Sequence, residues 1–242
     1  TAVDVDPDPS LKLAPIAKVS GIGPSPETID LCRWAAWRWS GRLATFLGTA
    51  SPPGMVQHLP SFRALVPPPV PDSPWAHLFE ERRAVLRLPP ADDVHPVVLA
   101  AAARGDALVV CPSVVAAGEI ASRLRRAGVA VAVHPRDWAR AAAGGTTVVG
   151  ARAAAFAPMP SLAAVVVFDE HDEALQNEGS PTWHAREVAL ERARRARVPA
   201  VMVSPCPSLE SVQRSPLVTL PRASDLAGWP VVEVIDRRDD DI

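Results

Sequence analysis

The stretch VVVFDEHDEA, residues 165–174, decides how this chain is read. A run of β-branched residues closed by an aromatic reads as a strand buried on both faces, and here it spills into Asp169, Glu170, His171 and Asp172. Acids at the carboxyl end of such a strand are where a nucleotide-driven motor keeps an Mg²⁺-holding carboxylate and a base that activates the nucleophile. The question the stretch raises is whether the rest of the chain supplies the other parts of a motor.

Working outward, further apolar runs of the same kind appear at AVLRL (84–88), ALVVC (107–111), VAVAV (129–133), TTVVG (146–150), AAVVVF (163–168) and PAVMVS (199–204). Helical segments such as VVAAGEIASRLRRAG (114–128) and WHAREVALERARRAR (183–197) lie between several of them. Strands alternating with helices predict an α/β fold with a parallel sheet flanked by helices, whose ligands sit at the carboxyl ends of the strands.

Upstream the pattern differs. Ser25, Pro26 and Glu27 supply a cap, a first-turn proline and a first-turn acid for a helix through PETIDLCRWAAWRWS, with Leu31, Trp34, Ala35 and Arg38 on one face. Trp34, Trp37 and Trp39 suit base stacking, and they equally suit sealing a small core. The segment 52–74 is dominated by proline and predicts a linker. The acidic, proline-rich opening TAVDVDPDPS predicts a loose leader and a trimmed start. The expected organisation is therefore a helical unit over 1–51, a linker over 52–74 and an α/β lobe over 75–242.

Composition narrows the class. At 242 residues, 48% hydrophobic and 21% charged, the chain is long enough to build a core. A net charge of -2 gives no global pull toward nucleic acid, so any such contact needs a local patch. Nearly all the cations are arginine, Lys12 and Lys18 being the exceptions, which suits phosphate forks and also follows from GC-rich coding. Cys32, Cys111 and Cys206 stand far apart with no metal-ligand spacing, so they predict buried thiols, no metal site and a cytoplasmic setting. No stretch has the length of a membrane span, so no membrane partner is expected.

Three ordered segments carry a resemblance. GARAAAFAP (150–158), FDEHDEALQNEGSPTWHARE (168–187) and SPCPSLES (204–211) resemble, in order and spacing, the PriA family of primosomal replication-restart DNA helicases. PSPETIDLCRWAAWRWSGRL also looks like the helical tail of that family's 3′-DNA-end-binding domain. The resemblance implies a RecA-like helicase lobe over 75–242, preceded by a remnant of that DNA-binding domain. It implies cytoplasmic, nucleoid-associated work on forks, D-loops and single-stranded DNA, with replication-restart and helicase-loading proteins as partners. The family's zinc-binding cysteines and second motor lobe have no counterpart before the chain stops at IDRRDDDI.

The family's phosphate loop, of the form GxTGSGKT, cradles phosphates with glycine amides, a lysine and an Mg²⁺-binding hydroxyl. Here the matching stretch is PPADDVHP: Ala91 and Asp93 replace glycines, Val94 the lysine and His95 the threonine, while Asp92 adds a second acid. Read without gaps, the acidic stretch puts Phe168 at the Mg²⁺ aspartate and Asp169 at the base; a slip of one restores Asp169 and Glu170. Asp169, Glu170 and His171 are thus expected as vestiges, and the ATP and Mg²⁺ used by the family are not expected to bind this chain.

For DNA, the resemblance implies Arg152, Trp183 and Arg186, to which the arginine run Arg192, Arg194, Arg195 and Arg197 adds a patch. Arg123, Arg125 and Arg126 form another. Each has a bland alternative in a solvated helix face or a packed tryptophan. Two rival readings stay open: an active DNA-dependent ATPase or 3′–5′ helicase working through Glu170, and an unrelated α/β small-ligand enzyme using His134 and His171, for which the sequence shows no partner.

Overall fold

The computed structural model describes Ser10, residues 18–62 and residues 73–233. The leader 1–9, Lys12, linker residues 63–72 and the tail 234–242 lie outside the described residues.

Each expected strand forms within two residues of its apolar run: β1 (Arg83–Arg87), β2 (Asp106–Val110), β3 (Val131–His134), β4 (Thr147–Gly150), β5 (Leu162–Phe168) and β6 (Ala200–Ser204). A short seventh, β7 (Leu217–Thr219), is not among the expected runs, although LVTL lies between Pro216 and Pro221, and it sits largely exposed at the edge. All pairings are parallel, in the order β3-β4-β2-β5-β6-β1-β7. This is the α/β architecture expected from the sequence, and it is consistent with a RecA-like lobe.

The strands are apolar throughout because the sheet is covered on both faces. Alternation then decides which side chain meets which layer. Val165, Val167, Leu108, Val110 and Met202 face one way, and Val166, Ala164, Val109, Val201 and Val203 the other. Helices α3 (His95–Ala103) and α4 (Val114–Arg126) cover the second face. Helix α6 (Ala185–Ala196) and a 3₁₀ turn over Arg152–Phe156 cover the first. Helix α5 (Trp138–Ala143) lies between β3 and β4.

The N-terminal helices α1 (Pro26–Arg38) and α2 (Leu43–Ala50) join that first layer. Leu31, Cys32, Ala35, Phe46 and Ala50 are buried in the same cluster as the sheet residues. The Trp138 indole N–H donates to the Ala50 carbonyl at 2.9 Å, and the Phe46 ring packs on Phe156 and Trp183. Gly41 is needed at this join, since a Cβ there would stand 2.6 Å from Pro181 Cγ. Among the described residues, helices α1 and α2 therefore share a core with the sheet.

Of the three clustered tryptophans, Trp34 and Trp39 pack against each other edge to face and against the core, whereas Trp37 is 71% exposed. Cys32 and Cys111 are buried as expected; Cys206 is exposed, because it lies in the loop after β6. Among the described residues no helix is long and apolar enough to cross a membrane.

Candidate functional site

The carboxyl ends of β1, β5 and β6 meet at a cleft of about 230 Å³ lined by Leu88, Pro89, Pro90, Asp92, Val94, Phe168, Asp169, Val203 and Pro205. In a parallel sheet this is the edge where ligands bind. The loop after β1 is closed by internal bonds. Asp92 N–H donates to Pro89 O, Ala91 N–H donates to Gly228 O at 3.1 Å, and His95 N–H donates to Asp93 Oδ1. Pro89, Pro90 and Pro96 have no N–H to offer.

The side chains follow the same logic. Asp93 is forked by Arg123, which holds its carboxyl below the usual range, with the His95 amide helping. Burial pushes the His95 imidazole down, toward the neutral form. A Mg²⁺-polyphosphate needs converging amides, a lysine and a hydroxyl ligand. The residues present do not fit one: Ala91, Asp92, Asp93, Val94 and His95 give two acids and no ammonium, the amides of Ala91, Asp92 and His95 are already bonded, and the acids repel phosphate.

At the end of β5 the two halves of the acidic stretch part company. Phe168 and Asp169 face the cleft, with Asp169 in the left-handed region at φ +48° and its pKa raised by burial. Glu170 turns away and is completely buried. Its Oε1 accepts from Ser208 N at 2.6 Å, and its Oε2 from Ser208 Oγ, Ser211 Oγ and Arg186 Nη1 at 2.9, 2.7 and 2.7 Å. Burial alone would raise its pKa, but these hydrogen bonds outweigh it and hold the carboxyl low. Glu170, expected as a vestige and used as a working residue only in the rival ATPase reading, is the centre of an internal network that ties β5 to α6 and to α7 (Leu209–Arg214). His171, expected without a partner, is bonded through Nδ1 to Ser204 Oγ at 2.7 Å.

The expected DNA contacts divide by burial. Arg186 is spent on Glu170, Ser208 and Glu187. Arg192 is buried and donates to Ala155 O at 3.1 Å, and burial lowers its pKa to about 10. Trp183 is 4% exposed between Phe46 and Phe156. All three are buried: Arg186 and Arg192 lie on the side of α6 that also buries Val188, Ala189 and Ala193, and Trp183 packs just ahead of that helix, so none of the three side chains lies at the surface where the expected DNA contact would be made. Arg152 donates to Ala174 O and Gln176 O, holding the loop after β5. Arg194 and Arg195 stay on the outer face, both bonded to Glu191, whose pKa their hydrogen bonds pull down to about 2. The Arg195 guanidinium also lies 5.9 Å from the Trp34 ring centroid.

Fold and site together define an α/β lobe consistent with a RecA-like one, whose loop after β1 has its Ala91, Asp92 and His95 amides bonded. No family model matches the chain. Curated proteins do, and they bear out the resemblance drawn from the three segments. The chain is 36% identical over 98 residues to replication restart protein PriA of Bacillus subtilis (strain 168), covering 38% of this chain and 12% of that protein. It is 40% identical over 94 residues to PriA of Treponema pallidum (strain Nichols), covering 37% of this chain and 14% of that one. It is 42% identical over 78 residues to PriA of Chlamydia pneumoniae, covering 31% and 10%. The matched stretch is thus a small fraction of each relative's length.

Proposed function

We propose that this chain is a replication-restart protein similar to PriA that binds branched DNA, forks and D-loops, as a scaffold for reloading the replication machinery, and that it turns over no ATP. The observation that carries the second half is the loop after β1, where prolines, two aspartates and the bonded amides of Ala91, Asp92 and His95 stand in place of a phosphate cradle. The burial of Glu170 in an ion pair supports the same reading, since a base must reach a nucleophile. The first half rests on the similarity to proteins named for replication restart.

DNA contact belongs to the outer arginines, Arg194 and Arg195, with Trp37 exposed on the neighbouring helix for stacking. Titration of the full chain with Mg·ATP and with a forked oligonucleotide tests both halves. No heat with nucleotide and binding to the fork are expected, with the arginine pair changed to alanine lowering the slope of log affinity against log salt by about 2. Micromolar nucleotide binding, or an unchanged slope, would sink the corresponding half.

A further inference from the structure

The segment after β7 makes a contact that the resemblance does not explain. Helix α8 (Arg222–Ala227) is anchored at its buried Asp225 by Arg87, the last residue of β1. Its final turn closes with Gly228 N–H on Ser224 O, and this presents the Gly228 carbonyl to the Ala91 amide of the loop. The approach is close enough to demand glycine: a Cβ at 228 would stand 2.5 Å from Pro89 Cβ, 3.1 Å from Pro89 Cγ and 3.3 Å from Asp92 Oδ2. A pyrrolidine ring cannot swing aside as a long side chain does.

We propose that the segment from Arg222 to Trp229 is a built-in ligand of this loop, a latch whose backbone carbonyl takes the amide of Ala91 and fixes the course of the chain beyond β7 without any nucleotide. The inference rests on reading the loop as a lost phosphate site, and it deepens that reading by naming what lies against the loop. The chemistry suits the place. A neutral carbonyl needs one donor and no counter-charge, so it tolerates Asp92 and Asp93 where a polyphosphate would not. The Arg87–Asp225 ion pair fixes the other end of the latch, and β7, paired in parallel with β1, delivers the segment in register.

Amide hydrogen exchange in the full chain, followed residue by residue, tests the latch. The Ala91 amide is expected to be protected in the wild type and to exchange about tenfold faster or more in Gly228→Val, with the amides of β5 and β6 unchanged. Ala91 exchange that is rapid in the wild type, or unaltered by the substitution, overturns the latch. Should Gly228→Val loosen β5 and β6 as well, Asp225→Asn, which keeps the glycine, gives the same reading: faster exchange at Ala91 alone supports the latch and no change overturns it. Mg·ATP titrated into Gly228→Val separates the two claims. Heat of nucleotide binding would overturn the reading of the loop as a lost site, while the exchange data alone decide the latch.

Discussion

His134 shows how one residue couples this fold to pH. It ends β3, is 5% exposed, and neither ring nitrogen has a hydrogen-bond partner among the described residues. Burial first, and the nearby Arg192 guanidinium second, lower its pKa to about 4 from 6.5. Between those values the unfolded chain takes up a proton that the folded chain refuses, so stability is full above pH 6.5 and falls as pH drops toward 4. At 1.36 kcal/mol per unit the loss approaches about 3 kcal/mol. His95 and His184, both also lowered chiefly by burial, push in the same direction. Denaturant midpoints measured from pH 7 to pH 4 should therefore fall steeply in the wild type and less steeply in His134→Leu; equal slopes would show that the imidazole does not set the trend. Nothing in VAVAVHP reveals this, because the burial comes from strand pairing and from α6, far away in sequence. Glu170 teaches the same lesson: the Ser208, Ser211 and Arg186 that enclose it lie 16 to 41 residues away in sequence and are brought to it by the fold.

At the scale of elements, period decides what is legible. Strands β1 to β6 are short apolar runs between turn signals, and α1 and α4 carry capping serines, Ser25 and Ser113, whose side chains accept from amides three residues on. Strand β7 is only three residues long and helix α8 has no side-chain cap; they are held by pairing with β1 and by the Asp225 anchor. Helix α6 is the instructive case. Its arginine run predicts an outer basic face, yet the helical repeat turns Arg192 inward while Arg194 and Arg195 stay out. Trp183, just before it, belongs to the same inward packing. Trp183→Ala should cost about 3 to 5 kcal/mol of stability through the cavity it leaves, and should leave the salt dependence of fork binding unchanged. A variant of undiminished stability that lost fork binding would restore the tryptophan as a DNA contact.

For the whole molecule, the join between the N-terminal helices and the sheet governs how the chain hangs together. Composition marks residues 52–74 as a boundary, which is sound as far as local stiffness goes. It carries no information about Phe46 stacking on Phe156, or about Trp138 gripping the end of α2. Those contacts join residues that precede the proline segment to residues that follow it, so the described residues on its two sides pack as one body. Cutting the chain once within residues 63–72 should then leave two polypeptides that elute together as a single particle and melt in one transition. The same pieces, made separately and mixed, should find each other as the halves of a split protein do.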